Sequence, residues 1–132
     1  MPEALSQRSL RKLGRALGRL DEALREPEDN PLAIDGTIQR FEFVFELFWK
    51  TFRRFLAEEG VTVTTPREAL QGGFAAGWIP DEAVWLAMLD ARNETSHTYD
   101  EAKARDVYAR IGRYFPELTR AYRFLVDRAR TR

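Results

Sequence analysis

The chain has 132 residues, no cysteine, one histidine and a formal net charge of zero, with 21 basic and 21 acidic side chains. These numbers point to one domain spanning 1–132, with enough residues to bury a sizeable core. They exclude disulfides and thiolate metal sites, and fit a reducing cytoplasmic compartment. The first residues, Met1-Pro2-Glu3-Ala4-Leu5-Ser6-Gln7-Arg8, lack an apolar signal core. No run approaches the length of a membrane span, so a soluble protein with no membrane partner is expected.

The charge is unevenly placed. Residues 1–25 carry a net +3, residues 26–100 a net −8 and residues 101–132 a net +5. Basic ends around an acidic middle suit a local anion site or an acidic partner, although solvated helix faces produce the same pattern. Arginine outnumbers lysine eighteen to three, which genome composition accounts for as well as binding does.

Every substantial segment reads as helix. Leu10, Leu13, Leu17, Leu20 and Leu24 step by three and four, placing one stripe on a first helix. Pro27, Asn30 and Pro31 break it. Ile34, Ile38, Phe41, Phe45, Phe48, Phe52 and Phe55 repeat the same stepping, and Phe43, Val44, Leu47, Trp49 and Leu56 widen that stripe. A helix this apolar around its circumference belongs at the centre of a bundle or under another chain. Gly60 is its expected C-terminal cap.

Val61-Thr62-Val63-Thr64-Thr65 is β-branched but short and without a partner strand, so an extended loop is expected. Thr65-Pro66-Arg67-Glu68 is a helix start, with a threonine cap, proline at the first position and glutamate at the third. The short helix it opens should end at Gly72, Gly73 or Gly77. Pro80-Asp81-Glu82 starts the next, carrying Val84, Trp85, Met88, Leu89 and Arg92 on one side. Asp100-Glu101 starts the last, in which Pro116 is expected to kink or split the helix. The fold expected is an all-α, up-and-down antiparallel bundle of four main helices plus a short one.

The chemistry concentrates in Ala91-Arg92-Asn93-Glu94-Thr95-Ser96-His97-Thr98-Tyr99-Asp100. Histidine titrates nearest neutral pH, and an arginine fork matches phosphate oxygens. On an ideal helix Arg92 and His97, five residues apart, would point about 140° away from each other. They can share a site only if the helix ends between them, and the turn-prone run from Thr95 to Asp100 offers such an end. The bland alternatives stay open at this point. His97 at a helix end can be a cap or a packed side chain. Arg92 can pair with Asp90, Glu94 or Asp100 on the surface. Tyr99 can pack in the bundle. A single histidine with scattered carboxylates lacks a zinc ligand set, so no metal or cofactor is expected. The phenylalanine and tryptophan stripe reads as core or interface before it reads as a stacking surface.

Three runs together carry a family resemblance: Arg40–Thr51 (RFEFVFELFWKT), Thr65–Glu68 (TPRE) and Trp85–Glu101 (WLAMLDARNETSHTYDE). In this order they resemble the nucleotidyltransferase substrate-binding proteins of the HEPN superfamily. The resemblance covers most of the chain. It implies a helical bundle that dimerises and binds a minimal nucleotidyltransferase encoded beside it, two copies of each. In related HEPN proteins the arginine and histidine of R-x-x-x-x-H-x-Y form a metal-independent ribonuclease site that acts as a toxin. The partner neutralises it by transferring AMP to the motif tyrosine. Carried onto this sequence, the resemblance implies Arg92 and His97 as catalytic residues, Asn93 and Ser96 as supporting polar groups, and Tyr99 as AMP acceptor. RNA is then the implied substrate. The other role it leaves open is a non-catalytic adaptor that presents a substrate, or itself, to the partner's transfer site.

Overall fold

The computed structural model describes residues 3–97 and 100–131. Its helices are α1 (Leu5–Leu24), α2 (Pro31–Glu58), α3 (Pro66–Ala75), α4 (Glu82–Glu94) and α5 (Glu101–Arg130), with a 3-10 turn, Thr95–His97, between the last two. No strand occurs among the described residues. The all-α bundle with one short helix is thus the observed fold.

Local chemistry sets the helix ends. At the start of α2, Asn30 accepts a hydrogen bond from the Leu32 amide at 3.0 Å, and Pro31 follows at a position where no amide hydrogen is needed. At the start of α3 a reciprocal capping box forms. Thr65 Oγ1 accepts from the Glu68 amide at 3.1 Å, and Glu68 accepts in return from the Thr65 amide at 3.1 Å. Both α2 and α3 end on a glycine of positive φ, Gly60 at 83° and Gly77 at 84°. At each, the glycine and the residue after it turn their amides back to carbonyls of the last turn. The expected stop of the short helix at Gly77 is therefore met, and Val61–Thr65 is an extended loop.

Of the two outcomes expected at Pro116, a kink or a split, α5 does not show the split. It runs unbroken through Pro116. Pro116 and Gly112, whose carbonyl loses its helical partner, are both exposed, so water is available to that carbonyl. The proline therefore does not split the helix.

α2 is the central element and packs against each of the other four helices. α1 runs antiparallel to it, as Ser9 to Thr51 at 2.6 Å and Arg40 to the Arg19 carbonyl at 2.6 Å show. The leucine stripe Leu10, Leu13, Leu17 and Leu20 is buried against the phenylalanine stripe. On the opposite flank of α2, Phe48 lies 5.0 Å edge-on from Trp85, and Phe52 sits 5.5 Å from Trp85 and 5.8 Å from Trp78. This aromatic seam ties α3 and α4 to α2 and so fixes where α4 ends. Val44, Trp49 and Leu56 widen the buried stripe as expected, whereas Phe43 is exposed and Leu47 only half-buried.

Candidate functional site

α4 places Arg92 in its last turn, where the helix dipole favours a cation. Its neighbour Ala91 is buried in the core, so the register that buries Trp85, Met88 and Ala91 sets Arg92 at the rim. Thr95 Oγ1 donates to the Arg92 carbonyl at 2.6 Å, satisfying one of the carbonyls left over at the helix end. The chain then tightens into the 3-10 turn that carries His97. The helix does end between Arg92 and His97, which is what a shared site required. His97 is exposed on that turn.

Arg92 does not pair with Asp90, Glu94 or Asp100. Its Nη2 donates to Glu46 Oε2 of α2 at 2.8 Å, and Nη1 donates to Asn93 Oδ1 at 3.3 Å. The reason is geometric. α4 packs across α2, so the rim of α4 faces a carboxylate of another helix before it faces its own turns. Glu46 is also 4.0 Å from Lys50 Nζ, so one carboxylate stands between two cations. Both side chains of the Arg92–Glu46 pair are about one-third exposed, 36% and 34%, which leaves the guanidinium within reach of a ligand.

Asn93 and Ser96, the polar residues expected to support the site, fall close to Arg92. Asn93 is exposed and orients the Arg92 fork. Ser96 Oγ donates to the Asn93 carbonyl at 3.4 Å, a long bond that folds the turn back on the helix end. The structure thus joins Arg92, Asn93 and Ser96 in one local hydrogen-bonded group, with His97 on the same turn. Tyr99 lies outside the described residues.

A second charged group backs the turn. Arg110 of α5 pairs with Glu94, and also with Asp106 at 2.9 Å, while Lys103 lies 3.8 Å from Glu94. The hydrogen bond that Arg110 donates to Glu94, followed by the nearby charges of Asp106 and Glu94, raises the Arg110 guanidinium above its ordinary pKa against the opposing effect of burial. Glu94 is therefore engaged with α5, another reason that Arg92 turns to Glu46. This brace holds the end of α4 against the start of α5 on either side of the turn.

Sequence reasoning missed Glu46 and Arg110. Glu46 had a signal: it is a carboxylate at the edge of an otherwise apolar run, a position where a charge needs a partner. Among the described residues no three His, Asp or Glu side chains come together as a metal ligand set. No helix among them is long and apolar enough to cross a membrane.

Known proteins resemble this chain in sequence and in fold. A Haemophilus influenzae protein named Probable ribonuclease HepT is 38% identical over 104 residues, covering 75% of this chain and 68% of its own. The fold matches a crystal structure of a Thermus thermophilus protein with a TM-score of 0.78 and 32% identity, covering 83% of this chain and 94% of that one. It matches H. influenzae HI0074 equally well, TM-score 0.78 and 31% identity, over 88% of this chain and 98% of that one. The HI0074 structure is described as revealing the fold of a substrate binding domain of a nucleotidyltransferase. Residues 8–127 fit the family described as nucleotidyltransferase substrate binding protein like, and the chain belongs to that family.

Proposed function

We propose that this protein is the partner subunit of a minimal nucleotidyltransferase, and that it is itself a metal-independent endoribonuclease acting through Arg92 and His97. One observation carries the reading. A partly exposed arginine, anchored by Glu46 and Asn93, stands at the end of α4 immediately before an exposed turn bearing the only histidine. The ribonuclease name of the Haemophilus relative supports it.

The chemistry is general acid–base cleavage. Neutral His97 takes the proton of an RNA 2′-hydroxyl, and the 2′-oxygen attacks the adjacent phosphorus. The bond from phosphorus to the 5′-oxygen breaks, leaving a 2′,3′-cyclic phosphate, and the departing oxygen receives a proton. Arg92 stabilises the charge gathering on the phosphoryl oxygens. One chain supplies one histidine, so a homodimer that brings two motifs to one groove would provide both the base and the acid. In the full assembly two copies of this chain meet two of the nucleotidyltransferase in the cytoplasm. The enzyme then transfers AMP from ATP to the Tyr99 hydroxyl with release of pyrophosphate. The adduct would add a negative phosphodiester seven residues along the chain from Arg92, where it competes with RNA for the guanidinium.

The test is expression of the lone protein together with an RNA cleavage assay in excess chelator. Growth arrest and RNA cleavage, both abolished by His97→Ala, are expected. Normal growth and intact RNA would overturn the ribonuclease reading. Incubation with the partner, ATP and magnesium should add AMP in a form detectable by mass spectrometry and absent from Tyr99→Phe.

One observation favours the second reading, a non-catalytic adaptor that presents a substrate to the partner. Two donor nitrogens of Arg92 are already committed, to Glu46 and Asn93, so the guanidinium is partly satisfied without phosphate. Under this reading the chain binds the nucleotidyltransferase, and His97→Ala changes neither growth nor RNA.

A further inference from the structure

We infer that the groove between α1 and α2 is a binding surface for single-stranded RNA, leading along α2 into the Arg92–His97 site. It rests on the ribonuclease reading for its purpose, but its own evidence is separate. The groove encloses about 340 Å³ and is lined by Lys12, Arg15 and Arg19 from α1, and Arg40, Phe43 and Leu47 from α2, with Ala16 leaving it open. Among the described residues no carboxylate lines it. Arg40 closes one end, bonded to the Arg19 carbonyl at 2.6 Å and 3.6 Å from Glu22. Lys12, Arg15 and Arg19 form no ion pair among the described residues, whereas Arg8, Arg11, Arg25 and Arg40 around them each do. Between them stands Phe43, 52% exposed in the middle of a helix whose other phenylalanines, Phe41, Phe45, Phe48, Phe52 and Phe55, are fully buried.

The combination selects the ligand class. An apolar helix laid in this groove would cover Phe43 and Leu47 but would strip water from three cations and give them no partner. A peptide of acidic residues alone would meet the cations and leave the ring face unused. A nucleic acid strand uses both, phosphates on the cations and a base stacked on the ring. Lys12 and Arg19 are seven residues apart on one face of α1, about 10 Å along the axis, which suits successive phosphates of a strand rather than one phosphate group. The groove also connects to the site. Phe43, Glu46, Leu47 and Lys50 share one stripe of α2 by their three and four spacing, and Glu46 is the residue that holds Arg92. A strand leaving the groove past Leu47 therefore comes within about one helical turn of Arg92. The single-stranded form follows because a base can stack on Phe43 only when it is unpaired.

The experiment uses the full chain carrying His97→Ala, so that RNA is not consumed, and a fluorescent twelve-nucleotide oligouridylate read by anisotropy. Binding is expected to weaken as salt rises, with a log–log slope of about −2 for three cations on a single strand. Adding Arg15→Glu with Arg19→Glu should weaken binding at least about tenfold and flatten that slope by about 1.4. Adding Phe43→Ala should weaken binding about 5- to 100-fold with the slope unchanged, because stacking carries no counterions. All of these positions are exposed or half-buried at the rim, and circular dichroism should not change. Unaltered RNA binding in the groove variants overturns the proposal, as does binding of ATP but not of the oligonucleotide. A dimer that dissociates on Phe43→Ala in light scattering also overturns it, since the groove is then covered by a second copy. The two readings fail separately. RNA held by the groove but never cut by the unmodified protein would reject the ribonuclease and leave the groove standing. His97-dependent cutting indifferent to the groove variants would do the reverse.

Discussion

The two faces of α2 use similar residues to opposite ends. On its inner face Phe48, Phe52 and Phe55 have no exposed surface, and each ring is fixed by a tryptophan from beyond the helix. On its outer face Phe43 stands half in water, and Glu46, Leu47 and Lys50 follow it along the same stripe. The inner face is decided by volume, because an interior packed like a crystal tolerates few voids. The outer face is decided by charge, because its groups keep access to solvent and to ligands. The contrast separates stability from the proposed function on a single helix. What the inner rings do is hold α4 at a set height, and what the outer stripe does is present Glu46 to Arg92.

Truncation on the two faces should therefore diverge, and this is the largest effect expected. Phe48→Ala removes a ring packed edge-on against Trp85 and Phe52, and should cost about 3–5 kcal/mol in denaturant unfolding. Phe43→Ala should change stability by no more than about 0.5 kcal/mol. A Phe43→Ala loss above about 2 kcal/mol that grows with protein concentration would break the comparison, since it would mean that the outer face is core to an oligomer.

Glu46 sharpens the comparison from the functional side. As a one-third exposed ion pair with Arg92 it should contribute no more than about 1 kcal/mol to stability. Glu46→Gln should leave the unfolding midpoint nearly unchanged. Under the proposed ribonuclease function it should nonetheless lower kcat for RNA cleavage about tenfold with little change in KM, because a misplaced arginine loses the transition state more than the ground state. Glu46→Asp should recover part of the loss. Equal rates in all three proteins would show that Arg92 finds its own position, and Glu46 would then be only a surface partner.

How much of this was legible depended on the range of each interaction. Helix starts at Thr65-Pro66, Asp81-Glu82 and Asp100-Glu101 could be read because a cap is made by residues two or three apart. Asn30-Pro31 was read only as a break, although it too caps a helix. The stop at Gly60 could be read because the left-handed turn there strains any side chain. The interruption between Arg92 and His97 was legible for the same local reason. The partner of Arg92 was not. Glu46 lies 46 residues away, and nothing in the spacing of α4 says which helix its rim will face. Local counting offered Asp90, Glu94 and Asp100 instead, and α5 had already engaged Glu94 through Arg110 and Lys103. Pro116 misled in the other direction only as to a split, which α5 does not show. A rule about helix interiors carried less weight once both Pro116 and Gly112 proved to be exposed. The over-wide apolar stripe of α2 did signal its central place, but not which phenylalanine would be left outside.

The smallest effect lies at the far end of the aromatic seam, in the cap that starts α3. Glu68 is fully exposed, and its carboxylate accepts from the Thr64 hydroxyl at 2.9 Å and from the amides of Thr64 and Thr65 at 3.2 and 3.1 Å. Those bonds, the Thr64 hydroxyl first, lower its pKa below the ordinary carboxylate value of 4.5. A depressed folded-state pKa adds stability that is present above the unfolded value and is lost as pH falls through the folded one. Wild type should therefore melt slightly above Glu68→Gln at pH 6–7, and the gap should close progressively below pH 4.5. Salt should narrow the gap little, since hydrogen bonds to the carboxylate rather than a distant charge set the shift. A gap of equal size at pH 3 and pH 7 would show that the side chain acts through packing and not through its ionised oxygens. Because α3 joins the seam through Gly73 against Phe52, with the ring 3.2 Å from where a β-carbon would stand, a weakened cap should appear as fraying of α3 and leave the Arg92 end undisturbed. Tryptophan fluorescence should register that fraying through Trp78, which follows α3 directly and packs against Phe52 and Phe55.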